Sequence, residues 1–188
     1  MKNILDKLFS KLDCTQDEFQ MAEYENCRFE NCNFHEANLS GSKFIKCQFI
    51  ECNLSLIKVK NTAFQDVYFE KCKMLGILFE TCNPFGIQIG FSNCILNNSS
   101  FFKLKINKTK FFKCELKDVD FSQSELIQAN FEESNLSDAK FDGTNLEKSN
   151  FETAYNFSID PSKNKLKNAV FSRDHLEGLL HFINIQIK

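Results

Sequence analysis

A large apolar residue recurs at every fifth position through most of this chain. The series starts at Phe19 and runs through Tyr24, Phe29, Phe34, Leu39, Phe44, Phe49, Leu54, Val59, Phe64, Phe69 and Met74 to Phe79. It resumes at Phe91 and continues through Leu96, Phe101, Ile106, Phe111, Leu116, Phe121, Leu126, Phe131, Leu136, Phe141 and Leu146 to Phe151. A helix repeats near 3.6 residues and a strand near 2, so neither element alone produces a period of five. A short fixed period marks a repeat architecture in which successive units stack. These large positions are called centres below.

Two residues before each centre stands a smaller one: Cys27, Cys32, Ala37, Ser42, Cys47 and Cys52 early in the chain, and Ser124, Ala129, Ser134, Ala139, Thr144 and Ser149 late in it. The other positions are mostly polar. Side chains two apart point the same way in extended chain, so the centre and its small partner face inward and the rest face water. Four such segments, each followed by a turn, close a squared coil of 20 residues. Cysteine spacing agrees, because Cys32, Cys52 and Cys72 lie 20 apart, as do Cys94 and Cys114. In the second half the centres alternate Phe with Leu or Ile, which predicts Phe ladders on two opposite sides and aliphatic ladders on the other two.

The segments ANLSG (37–41), ANFEE (129–133), SNLSD (134–138) and SNFET (149–153) resemble the pentapeptide repeat family, whose motif is A(D/N)LXX. The resemblance covers about residues 17–154. It implies an all-β fold, a right-handed quadrilateral parallel β-helix of about seven coils. The residues outside it are expected to form short helical caps. Residues 1–16 read as an N-terminal cap helix, with Lys2, Lys7 and Lys11 interleaved with Ile4, Leu5, Leu8, Phe9 and Leu12. Residues 155–188 read as a loop carrying Lys163, Lys165 and Lys167, a helix from Arg173 to about Phe182 capped by Ser172, and a closing strand INIQIK.

With 188 residues the chain has the length of one domain, and its net charge of −2 favours no particular partner. It lacks the unbroken apolar run of a membrane span or signal peptide. A cytoplasmic location is expected, where the nine cysteines stay reduced. Eight of them, all but Cys14, fall at the small inward position when the period is continued through Cys82. A metal site, a disulfide framework or a nucleophile are the chemical readings. The shortest spacing is five, whereas zinc ligands usually come in pairs two to four residues apart, and a buried thiol packs as a small hydrophobe. Packing is therefore the preferred reading. His35, His175 and His181 form no evident triad, and no glycine-rich phosphate loop is present. No enzyme activity, cofactor or metal is expected.

Three features lie outside the inward pattern. The spacing from Phe79 to Phe91 is 12, a register slip at 82–90 that brings in Pro84, Phe85, Gly86 and Gly90. It reads as a tolerated bulge or as a feature shaped for a partner. Charge is clustered: residues 103–117 hold six Lys and one acid, whereas 118–154 hold nine acids and two bases. These are ordinary solvated faces with pairing between coils, Lys105 over Glu125 and Lys113 over Glu133, or an acidic surface imitating duplex DNA. Finally, FGIQI (85–89) and CILNNSSF (94–101) look like a segment of the Qnr-type quinolone-resistance subgroup. That resemblance implies a protein that binds DNA gyrase or topoisomerase IV in place of DNA and does not itself bind nucleic acid. The implied contacts are Asp118, Asp120, Glu132, Asp138, Asp142, Glu147 and Glu152. It also implies a homodimer joined through the tail, at Leu176, Leu179, Leu180, Phe182 and Ile183. A scaffold for another protein is the alternative.

Overall fold

In the computed structural model, which describes residues 1–15, 18–183 and 185, each five-residue unit is one side of a square coil. The bend falls two residues after the centre, where the backbone enters the left-handed region, as at Asn31 (φ 53°), Glu36 (φ 59°), Gly41 (φ 74°) and Lys46 (φ 51°). Such a conformation costs a non-glycine residue roughly 1–2 kcal/mol, so the corners persist because the stacked coils hold them. Parallel ladder bonds join each coil to the next, for example Arg28 N to Lys7 O at 2.8 Å and Gln48 N to Cys27 O at 3.0 Å.

Where the sides are regular they form strands: β1 (Lys2–Leu5), β2 (Leu8–Ser10), β3 (Ala22–Glu25), β4 (Arg28–Glu30), β5 (Lys43–Ile45), β6 (Gln48–Ile50), β7 (Ala63–Gln65), β8 (Val67–Glu70), β9 (Ile89–Ser92), β10 (Phe111–Phe112), β11 (Asn150–Phe151) and β12 (Val170–Phe171). All pairings between them are parallel, β1-β3-β5-β7 in one sheet and β2-β4-β6-β8-β9-β10 in another. Together the coils make a β-solenoid of about eight turns. With coils about 4.8 Å apart, the rod is about 40 Å long. We name the side that carries β2, β4, β6, β8, β9 and β10 side A, and the next three in chain order sides B, C and D.

In the second half the interior is the predicted pair of ladders, whereas in the first half side D carries rings as well, Tyr24, Phe44 and Phe64 stacking at 5.2 and 5.7 Å. On side A one stack of rings runs through Phe9, Phe29, Phe49, Phe69, Phe91, Phe111, Phe131, Phe151 and Phe171, with centroids 4.7–5.3 Å apart. On the opposite side C, Phe79, Phe101, Phe121 and Phe141 stack likewise and meet the first ladder edge to face, as Phe91 meets Phe101 at 6.0 Å. Leu96, Leu116 and Leu136, and Ile106, Leu126 and Leu146, are buried on the other two sides.

The small inward residues do more than fill space. Many of them donate to the carbonyl of the centre 23 residues earlier: Cys52 Sγ to Phe29 O at 3.4 Å, Thr62 Oγ1 to Leu39 O at 2.8 Å, and Ser134 Oγ to Phe111 O at 2.7 Å; Ala37, Ala129 and Ala139 fill the same place without a donor. Thiol and hydroxyl thus alternate at one position because both can donate inward, which a methyl cannot.

Both ends differ from the expectation. The N-terminal segment is not a helix but the first coil. Ile4 and Phe9 keep the five-residue spacing, and they pair with Tyr24 and Phe29 in register. A twelve-residue helix is marginal in water, whereas pairing satisfies the backbone and stacks Phe9 on Phe29 at 4.8 Å. Leu5 and Leu8, expected to cap, are exposed. At the other end the coil does not stop at Ala154. Asn145 bridges Lys165, β11 pairs β12, and Phe171 stacks on Phe151 at 5.0 Å. The expected basic loop is therefore largely one more turn. Its period is hidden because Asn156 and Pro161 stand where centres belong, while Phe157 and Ile159 supply the buried bulk. Asn164 takes the small inward place and donates to Phe141 O at 2.9 Å.

The tail then leaves the coil. Ser172 Oγ accepts from Asp174 N at 3.2 Å, the expected cap. A 3-10 turn (Arg173–His175) and a short helix, α1 (Glu177–Leu180), replace the longer helix. Gly178 is pressed against the rod end, since a Cβ there would lie 2.3 Å from Phe157 O. Of the expected strand INIQIK, Asn184, Gln186, Ile187 and Lys188 lie outside the described residues.

Candidate functional site

Packing occupies the inside of the rod. All nine cysteines are buried. Burial pushes the thiols of Cys47 and Cys82 up to about 12 and raises those of Cys32 and Cys114. A buried thiol held in its neutral form is a poor nucleophile and a poor metal ligand. Among the described residues no three His, Cys, Asp or Glu side chains converge on a point that could hold a metal. His35 lies 3.4 Å from Glu36 on side B, far along the rod from His175 and His181, which border a cleft at the C-terminal end with Asp138 and Glu177. Recognition chemistry therefore belongs to the outward residues, and the coil decides which of these become neighbours.

The seven acids named from the sequence fall into three groups. Asp118 and Asp138 occupy the same corner, between sides B and C, in successive coils: Asp118 N donates to Ser137 O at 3.0 Å. Asp120 lies on side C beside that corner, with Lys140 bridged to it, and Asp142 lies at the other end of the same side, next to the corner at Gly143 (φ 69°). Glu132 lies on the opposite side A, one coil before Glu152, and Glu147 is on side D. The first four thus form one patch and the other three do not join it. The predicted pairs between coils are present, Lys105–Glu125 at 2.9 Å and Lys113–Glu133 at 3.2 Å. The lysines at 103–117 make a belt around a single turn, directly beside the acidic coils.

The register slip is a two-residue insertion on side D, between Asn83 and the corner that leads onto side A at Gln88. Asn83 N still donates to Thr62 O in the regular register, but Ile89 pairs with Val67, 22 residues back. Between them Pro84, Phe85 and Gly86 bulge outward. Asn83 Oδ1 accepts from Phe85 N at 2.9 Å, Gly86 takes φ 68°, and the Phe85 ring is 84% exposed. Gly90 is not part of the bulge. It lies in β9 beneath the ring of Tyr68, which comes within 2.9 Å of where a Cβ would be.

Side A also carries a groove of about 480 Å³ that the sequence reading missed. Gln48, Tyr68 and Lys110 form one wall and Ile50, Glu70, Phe112 and Glu132 the other; Ser92 leaves a gap between them. Its residues are 20 to 22 apart and only stacking brings them together. The one available signal was the pair of small residues, Gly90 and Ser92, at successive outward positions. Of the expected dimer residues, Leu179 packs on the rod end, Leu180 is half-buried, and Leu176, Phe182 and Ile183 are exposed.

Comparison with known proteins accords with this architecture. A family model described as a pentapeptide repeat region matches residues 22–89 and 79–151. Among solved structures, a trypsin-treated variant of QnrB1, a plasmid-mediated fluoroquinolone resistance protein, superposes with a TM-score of 0.65 at 15% identity, covering 100% of this chain and 98% of that one. A second trypsin-treated QnrB1 variant gives 0.63 at 16% identity, covering 100% and 99%. No curated protein matches by sequence. At these identities the likeness concerns the fold. The family match spans well over half of the chain, and with its five-residue period and square coil this protein belongs to the pentapeptide repeat family.

Proposed function

We propose that this chain is a non-enzymatic binding rod of the Qnr type. It occupies the DNA-binding surface of a type II topoisomerase, DNA gyrase or topoisomerase IV, and protects the enzyme from quinolones or toxins. The observation that carries this reading is the patch formed by Asp118, Asp120, Asp138 and Asp142 on one corner and one side of successive coils. Its support is the likeness in fold, over nearly the whole of both chains, to a fluoroquinolone resistance protein. Duplex DNA presents a dense line of phosphate charge, and a rigid rod with carboxylates at fixed coil spacing presents the same sign to a basic cleft. Gyrase supercoiling with and without ciprofloxacin tests the proposal. The protein is expected to change supercoiling or restore it in the drug, and the variant Asp118→Asn/Asp120→Asn/Asp138→Asn/Asp142→Asn to lose at least ~10-fold in potency. A purified protein without effect on gyrase and topoisomerase IV would overturn the reading.

One observation favours the alternative, a scaffold for a partner unrelated to DNA. Lys103 and Lys117 of the lysine belt interrupt the acidic field next to the Asp patch, where a DNA mimic would continue it. We also propose a homodimer through the tail, supported by the exposure of Leu176 (40%), Phe182 (51%) and Ile183 (50%) around α1. Sedimentation equilibrium is expected to give twice the chain mass, reduced to one by Leu176→Asp/Phe182→Asp. A monomer at micromolar concentration rules the dimer out.

A further inference from the structure

The groove on side A combines a shape, a charge and a gap that no packing role uses. Pairing between coils places Glu30, Ile50, Glu70, Ser92 and Phe112 in one column, and Glu132 and Glu152 continue it. That column holds four carboxylates and no base. Among the described residues Glu70, Glu132 and Glu152 take part in no ion pair, whereas Glu51 and Glu133 at the adjoining corner pair with Lys71 and Lys113 at 3.3 and 3.2 Å. The facing column runs Gln48, Tyr68, Gly90 and Lys110. At β9 both outward positions shrink to Gly90 and Ser92, so the walls open there. Tyr68, 51% exposed, leans over Gly90, and Phe112 stands one coil further on.

We propose that this groove is a docking site for an extended segment of a partner protein with the pattern basic-x-aliphatic-x-basic. Glu70 and Glu132 are three coils apart, about 14 Å at the coil spacing. Residues i and i+4 of an extended chain are about 13 Å apart, so two basic side chains reach the two carboxylates while residue i+2 enters the gap at Ser92. That middle residue lies between the Tyr68 and Phe112 rings, an apolar seat. Arginine suits the outer positions, since its planar guanidinium pairs with a carboxylate and lies flat on an aromatic ring. Lys110, on the facing wall, is placed to donate to main-chain carbonyls of the segment. The carboxylate column repels nucleic acid. The groove lies across the rod from the Asp patch, so the proposal does not rest on the topoisomerase reading.

Fluorescence anisotropy with the full-length protein and a labelled peptide, acetyl-Gly-Arg-Ser-Leu-Ser-Arg-Gly-amide, tests it. The protein is expected to bind this peptide, and at least ~10-fold more weakly its analogues with Glu for Arg or Ser for Leu. Glu70→Gln/Glu132→Gln and, separately, Ser92→Trp are each expected to weaken binding by about the same factor. Asp118→Asn/Asp138→Asn is expected to leave it within about twofold. Absence of binding overturns the proposal. So does equal binding by Glu70→Gln/Glu132→Gln, whose substitutions face outward and leave the core untouched, or an equal loss in the Asp variant, which would reveal attraction to acidity in general.

Discussion

Phe111→Ala is expected to destabilise the rod by about 3–5 kcal/mol, the usual range for removing a fully buried Phe from a core, while Phe112→Ala, one residue on, stays within about 1 kcal/mol. Phe111 is 0% exposed. Its ring stacks on Phe91 at 5.2 Å and on Phe131 at 5.1 Å, and it meets Phe101 and Phe121 edge to face at 5.7 and 5.5 Å. Removing it opens a void in two ladders at once, and the carbonyls and donors of the coil keep its neighbours from collapsing into the space. Phe112 points outward into the side A groove and is only half-buried, with the ammonium of Lys113 5.1 Å from its centroid. In a solenoid, stability is a sum of coil terms and contacts between neighbouring coils, so the loss is concentrated between the coils on either side. Urea unfolding of the two variants decides the matter. Equal destabilisation would mean that the inward and outward assignment is wrong.

A second large effect is expected in alkali. Burial raises the thiols of Cys47 and Cys82 from 9.0 to about 12. Their folded pKa lies above the unfolded one, so the stability they allow is complete below pH 9 and is lost as pH rises from 9 towards 12. At pH 10 the unfolded chain gains about 1.4 kcal/mol per thiol by ionising, or about 3 kcal/mol for the two, relative to pH 7. Tyr24, also raised to about 12 by burial, adds to the loss above pH 10. The urea midpoint is expected to fall steeply between pH 9 and 10, and the fall to shrink in Cys47→Ala/Cys82→Ala. An identical fall in that variant would show that these thiols are not its source.

The coil was legible because inward residues obey a period that no single element can produce. Phe91 to Phe151 predicted which sides carry rings and which carry aliphatics, and Lys105 and Glu125 were paired correctly from 20-residue spacing alone. The ends were misread for opposite reasons. Ile4 and Phe9 hold the period, but three lysines among apolar residues also satisfy a helical pattern, and local sequence cannot weigh a helix against a neighbouring coil awaiting a partner. Asn156 and Pro161 break the period although the chain continues to wind, because Phe157 and Ile159 fill the core from other positions. The outward surface was the least legible. A column such as Ile50, Glu70, Ser92 and Phe112 is separated by 20 or 22 residues, and the two-residue slip shifts the arithmetic in the middle of the groove.

That slip separates the two jobs of the chain. Two extra residues enter on side D at Pro84 to Gly86, yet the Phe69 and Phe91 rings on the next side still stack at 5.3 Å. One side of a coil is thus a socket: sequence can be spliced into it while the stack of rings on the neighbouring side runs on undisturbed. Partner choice in such a rod can drift by inserting and trimming loops, one side at a time, while the remaining ladders keep it folded.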